Sequence, residues 1–181
     1  MDLTAIYQRL DRLESIEEIR GLVSRYPELA DRRSIDELVT LYSENVQVGR
    51  KKGREALAAS FRRILGPQGS FGVTIHFVGP PDVLIDPTDP DRATGTAYCR
   101  AEHEVGDKWI VIFLKYFDSF IRENGRWLFA SRDMKAFYGA DVLERPNGAE
   151  RMKYELLPGG LMCRAEAPEC HESWRQFWAA S

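Results

Sequence analysis

Ile16, Ile19, Leu22, Val23, Tyr26 and Ala30 return every three or four positions. That spacing gathers side chains on one side of an α-helix and predicts an amphipathic helix ending at the polar turn Asp31-Arg32-Arg33-Ser34. Pro27 lies inside it. Lacking an amide hydrogen and crowding the previous turn, it predicts a kink, or a break with Pro27 in the first turn of a new helix. Ser34 is placed to cap a second helix, 35–42, with Glu37 completing a capping box. A short strand over 45–49 and another amphipathic helix over 53–65 follow, closed by Gly66-Pro67.

Past that point the hydrophobic period falls to two. Residues 71–78, 82–85, 93–104, 108–122 and 126–135 read as strands, the last three joined by the hairpin signals Gly106-Asp107 and Asn124-Gly125. Helices first and a meander afterwards predict an α+β domain with the helices on one concave side of the sheet. The domain spans residues 1–139. From Ala140 the pattern degrades through Pro146-Asn147-Gly148 and Pro158-Gly159-Gly160 to an aromatic cluster of Trp174, Phe177 and Trp178. This extension, 140–181, cannot fold alone and is expected to pack on the domain, over a cavity mouth or on a neighbouring subunit.

One strand has two unlike faces. Gly95, Ala97, Cys99, Ala101 and His103 fall on one, and Thr94, Thr96, Tyr98, Arg100 and Glu102 on the other. A strand packed flat under a helix would carry Val, Ile or Leu there. A row of very small side chains ending in an imidazole instead predicts an open space lined by Cys99 and Ala101, with an acid/base at its end. The competing explanation is a closely approaching helix over the small residues, with His103 a solvated strand end.

The chain has 181 residues, 44% hydrophobic and 11% aromatic, enough for one domain with a real core. Its net charge is −3 and its basic residues are dispersed among acidic ones, which gives no footprint for nucleic acid. Arg50-Lys51-Lys52 beside Gly53 reads as a solvated loop from which Arg50 or Lys51 could reach a substrate. The N-terminus lacks the basic start and apolar core of a secretory signal, and no apolar run approaches transmembrane length. Cys99, Cys163 and Cys170 are odd in number and show no CxxC spacing, so a reduced, cytoplasmic setting is expected. No metal or cofactor is predicted. A Cys163–Cys170 bridge or a metal at Cys170-His171 would need a spacing that is no recognised ligand pattern.

Thr74, His76 and Val78 share a strand face, and Asp31 follows the first helix where the chain turns over the sheet. A carboxylate bonded to one ring nitrogen fixes the imidazole tautomer and leaves the other nitrogen as a proton acceptor. Asp31 and His76 are candidates for such a pair. Singly, each has a plain structural explanation: a helix-end residue, and a core histidine satisfied by backbone.

Together the run LADRRSIDEL over 29–38, His76-Phe77-Val78-Gly79, the strand from Gly95 to His103, Tyr116-Phe117-Asp118-Ser119-Phe120 and Gly125-Arg126-Trp127 resemble the nuclear-transport-factor-like superfamily, also called polyketide cyclase-like or SnoaL-like. The resemblance covers residues 10–134. It implies a cone-shaped α+β barrel, cystatin-like, whose curved and mostly antiparallel sheet wraps around N-terminal helices. Within the superfamily the pattern is most similar to the scytalone dehydratases, whose aspartate and two histidines match Asp31, His76 and His103. Arg132 falls where the related dehydrochlorinases keep a pocket arginine, and Tyr26 where the bile-acid dehydratases keep a tyrosine. The departures are Ala30 and Arg50 in place of two tyrosines, and Leu114 and Tyr116 in place of a serine and an asparagine. By this resemblance the base is retained and the original electrophile is not, so Arg50, Tyr116, Tyr26 or Arg132 must stabilise any oxyanion.

The resemblance therefore implies a cofactor-free lyase acting on a small apolar, aromatic or polycyclic compound. His76, oriented by Asp31, would abstract a proton, with His103 or Tyr116 as general acid. Dehydration is the favoured reaction. Retro-aldol carbon–carbon cleavage, such as loss of formaldehyde from a lignin-derived diarylpropane, or isomerisation would use the same base. A binding protein for an apolar molecule is the alternative of another class. Trp109, Val111, Phe113 and Phe117 on one face of their strand, interrupted by Lys115, predict a homodimer or homotrimer.

Overall fold

The computed structural model describes residues 2–66, 69–142 and 163–164. Its first element, α1 (Leu3–Asp31), is a 29-residue helix that begins well before the predicted amphipathic stretch. The Asp2 carboxylate caps it, accepting from the Thr4 amide at 3.1 Å. The extra turns were illegible because their apolar side chains do not face the core: Leu3, Ile6, Tyr7, Leu10 and Leu13 are exposed. Arg122 ties this segment to the sheet through Asp11 at 2.7 Å. Of the predicted stripe, Ile19, Leu22, Val23, Tyr26 and Ala30 are buried and Ile16 is partly buried, and Leu29 joins them. The helix runs on through Pro27 without a break.

The helix ends in a paired-carbonyl cap. Ser34 N–H bonds the Leu29 carbonyl at 3.0 Å and Arg33 N–H the Ala30 carbonyl at 3.1 Å, with Arg33 in the left-handed region at φ 59°. With the Ser34 amide spent on α1, its side chain caps nothing, and the predicted capping box is absent. The second helix, α2 (Ile35–Leu38), is a single turn followed by a 3-10 turn at Val39–Leu41, shorter than predicted. A small hairpin, β1 (Gln47–Val48) and β2 (Lys51–Lys52), turns at Gly49 and Arg50, so Lys51 and Lys52 form an exposed strand instead of a loop. Then comes α3 (Arg54–Leu65).

The main sheet holds β3 (Thr74–Val78), β4 (Asp82–Ile85), β5 (Arg92–Val105), β6 (Lys108–Glu123), β7 (Arg126–Asp141) and β8 (Cys163–Arg164). Its order is β3-β5-β6-β7-β8, with β4 beside β3 along the same edge of β5. All pairs are antiparallel except β7 with β8. The predicted turns close the long hairpins, with Gly106 at φ 62°, Asn124 at φ 51° and Gly125 at φ 74°. Strand β7 passes the predicted end at Lys135, so the boundary drawn after residue 139 falls within a strand. Apart from Ala140, Asp141, Val142 and the backbone of Cys163 and Arg164, the predicted extension lies outside the described residues.

Register shifts between Phe113 and Leu114 and between Ser119 and Phe120 bend the β6–β7 ladder. The sheet curves, and α1 lies in its hollow, packed on β3, β4 and β7 and sharing one core with Ile110, Ile112, Leu114, Phe120 and Phe129. This is the α+β architecture predicted. On the outer face Tyr98, Phe113, Phe137 and Tyr138 stack on one another, and Val111 is buried within the chain. That face is therefore partly covered without a partner, although Tyr98 and Phe117 stay exposed. Among the described residues no helix is long and apolar enough to cross a membrane.

Candidate active site

Antiparallel pairing places Thr74 opposite His103, His76 opposite Ala101 and Val78 opposite Cys99, all on the concave face. The end of α1 arrives over this row. Asp31 Oδ1 lies 2.6 Å from His76 Nδ1, and Oδ2 accepts the His76 backbone N–H at 2.8 Å. Thr74 donates its hydroxyl to Oδ1 at 2.8 Å. Burial pushes the Asp31 carboxyl upward, but the bonds from His76 and Thr74 outweigh it and leave the group below its ordinary value. A carboxylate only accepts, so Nδ1 carries a hydrogen, and in the neutral ring Nε2 holds the lone pair. The His76 side chain is 10% exposed, and no described residue bonds Nε2. The pair inferred from sequence is formed.

His103 stands beside it, its ring 5.3 Å from that of His76 and perpendicular to it, and 4.5 Å from Phe71. Burial, reinforced by His76, lowers its pKa to about 3. It is a neutral imidazole at ordinary pH, which removes it as a charged general acid and leaves it a hydrogen-bonding group. Its Nδ1 is buried without a described partner.

The small-residue row divides in two. A Cβ on Gly95 would meet the Asp82 carbonyl at 2.9 Å and the Phe120 ring at 3.1 Å, so glycine is there because the site is packed solid. At that end the competing explanation holds, with a ring from β6 rather than a helix doing the packing. Toward the other end Cys99 and Ala101 lie buried between the histidines and Leu114, which faces Cys99 across β5–β6.

Next along the face, Arg132 donates through Nε and Nη2 to the two oxygens of Asp118, both at 2.8 Å. The pair is almost fully buried, with side chains 2% and 0% exposed. The guanidinium lies over the rings of Tyr116, Tyr26 and Phe129 at 4.2, 4.3 and 4.3 Å. Burial raises the Asp118 carboxyl against the opposing pull of Arg132. Arg132 is pushed above its already high value by that carboxylate despite its own burial, and stays charged. Its Nη1 has no described partner.

Tyr116 is 1% exposed, its hydroxyl bonded to the Cys99 sulfur and held well above its usual range by burial. Burial likewise raises the Cys99 thiol to about 11 and raises Tyr26. These groups keep their protons at neutral pH.

The structure thus brings together Asp31, His76, His103, Cys99, Ala101 and Leu114, with Tyr26, Tyr116 and Arg132 beyond Cys99. It does not bring Arg50 to them: that residue is exposed in the β1–β2 turn. Sequence reasoning missed Asp118 and Arg33 as site components. Asp118 was legible in principle, since it lies two positions from Tyr116 on the same strand face. Among the described residues no three His, Cys, Asp or Glu side chains converge as a metal-ligand set.

The SnoaL-like domain family matches residues 11–133, and the chain belongs to it. No curated protein matches. Among solved structures, a nuclear-transport-factor-like protein with a cystatin-like fold from Novosphingobium aromaticivorans is 28% identical, covering 86% of this chain and 97% of its own, with a TM-score of 0.58. A candidate scytalone dehydratase from the same species is 20% identical over 75% of this chain and 92% of its own, TM-score 0.60. The hexachlorocyclohexane dehydrochlorinase LinA-type3 of Novosphingobium barchaimii is 20% identical over 76% and 96%, TM-score 0.66. At those identities the last two establish the shared fold.

Proposed function

We propose that the chain is a general-base lyase that eliminates water from a small, largely apolar, oxygen-bearing aromatic or polycyclic substrate. The observation that carries this is the Asp31–His76 pair, which holds a hydrogen on Nδ1 and leaves Nε2 without a partner among the described residues. The apolar side chains packed beside the pair, Cys99, Ala101, Leu114 and Ile112, suit a substrate with a carbon skeleton, and His103 Nδ1 and Arg132 Nη1, which have no partner among the described residues, suit its oxygens. Structural neighbours named as a dehydratase and a dehydrochlorinase support elimination as the reaction type.

In this reading His76 Nε2 takes a proton from carbon and the C–H electron pair becomes the new double bond. The adjacent C–O bond breaks, with its electron pair going to oxygen. The departing hydroxide needs a proton, and His103, neutral at ordinary pH, has no charged form to offer. The proton held on His76 is returned to it, so both bonds break on one face of the substrate. Arg132 Nη1 donates to the oxygen that gathers charge.

The test is product formation from a panel of aryl-alkyl alcohols. His76→Ala should lower turnover by about a hundredfold to ten-thousandfold with the fold kept. Near-normal turnover removes His76 from the mechanism, and tight binding by the intact protein with no product makes it a binding protein.

A further inference from the structure

Arg33 occupies the left-handed position that ends α1, at φ 59°, where glycine is the favoured residue. What arginine adds there is its side chain. Nε donates to the Leu65 carbonyl and Nη1 to the Ala30 carbonyl, both at 3.0 Å, and Nη2 to the Gly72 carbonyl. Nη1 also reaches Thr74 Oγ1 at 2.6 Å. A guanidinium can only donate, so the Thr74 oxygen must accept from it, and the single hydroxyl hydrogen is left for another acceptor. That acceptor is Asp31 Oδ1 at 2.8 Å, the same oxygen that receives His76 Nδ1–H. Every hydrogen in the series from Arg33 through Thr74 to Asp31 therefore has one direction.

We propose that Arg33 and Thr74 are positioning residues for the general base: Arg33, acting through the Thr74 hydroxyl, fixes the rotamer and charge of Asp31 and so the imidazole it carries. The role rests on the reading of His76 as that base. With Thr74 gone, Asp31 keeps the His76 ring on Oδ1 and the His76 amide on Oδ2 as its described partners, and loses the bond that links its carboxylate to Arg33. The groups facing Asp31 are His76, His103 and Arg33, with Cys99 from β5 and Tyr26 from α1. Arg33 is the permanent cation among them.

The full chain is to be compared with T74S, T74V and R33G by carboxyl-carbon NMR titration of Asp31 and by steady-state kinetics. The Asp31 midpoint, held low partly by Thr74, should rise by about half a unit to one unit in T74V and R33G and stay in place in T74S. Turnover number should fall roughly tenfold in T74V and R33G, with KM little changed and T74S restored. A purely structural role would lower stability without moving the Asp31 midpoint. Glycine fits the Arg33 backbone, and if R33G still fails to fold, the T74V and T74S pair decides. An Asp31 midpoint in T74V equal to that of the wild type overturns the relay. The titration reads the free protein, so that result beside an inactive His76→Ala variant leaves the base reading standing. A moved midpoint beside a fully active His76→Ala variant overturns both.

Discussion

Replacing His103 by glutamine isolates the energetic consequence of burying a neutral imidazole. His103 is 5% exposed, wedged between the rings of Phe71 and His76, and its pKa is lowered to about 3 from the ordinary 6.5. Between those values the unfolded chain binds a proton that the native protein refuses. Stability is therefore complete above the unfolded value and is lost as the pH falls toward the folded one, by about 1.4 kcal/mol per unit. Across the window the loss is roughly 3 to 6 kcal/mol, a large share of the 5–15 kcal/mol that typically separates folded from unfolded domains. Glutamine is neutral in both states and lacks this dependence.

Urea unfolding of wild type and His103→Gln at pH 7, 6, 5 and 4 reads the effect directly, because other titrating groups are common to both proteins. The variant should gain on the wild type as the pH falls, by about 2 kcal/mol at pH 5 relative to pH 7. Parallel curves would mean that His103 is protonated inside the fold with little penalty. That outcome would refute the argument from burial and would return His103 to the list of charged acids.

Two further outcomes follow from the packing. Asp118→Asn leaves the Arg132 guanidinium buried against a neutral amide and should cost about 3–5 kcal/mol in denaturant unfolding, whereas Asp118→Leu with Arg132→Met, which removes both charges, should recover much of it; a single-variant loss below ~1 kcal/mol contradicts the pair's burial. We also propose that the exposed aromatic rings of the outer sheet face, Tyr98 and Phe117, meet a second copy of the chain in a dimer or trimer, and light scattering showing monomer at working concentration counts against it.

Alternation carried most of the fold. A period of two assigned β5 and β6 to the correct faces because one side of each is buried and, Val111 apart, the other is not. The same logic hid the first half of α1, whose apolar residues face outward and which is secured by the Asp2 cap and by the ion pair of Asp11 with Arg122 of the sheet. The capping box failed for a related reason. A motif at Ser34 assumes a free helix start, and that residue's amide already closes the previous helix. Periodicity also says which residues share a face without saying what stands above them. Gly95 and Ala101 read alike in sequence, yet Gly95 lies under Phe120 while Ala101 pairs with His76.

The candidate base was legible because its parts are chemically conspicuous: an aspartate at a helix end and a histidine on a strand. Its support was not. Arg32 and Arg33 are adjacent and identical in type, and only the backbone separates their fates. Arg32, at φ −77°, reaches back along the exposed side of α1 to Glu28 at 2.7 Å. Arg33, at φ 59°, is swung under the helix end to the Ala30 carbonyl and the Thr74 hydroxyl. A left-handed non-glycine residue is unfavourable by roughly 1 kcal/mol or more, and exposed ion pairs such as Arg32–Glu28 are worth less than that. The turn is therefore secured by the part-buried set of bonds that Arg33 makes, and the same set orients Asp31. One arrangement of the chain ends the first helix, joins it to the sheet edge and points the carboxylate at His76.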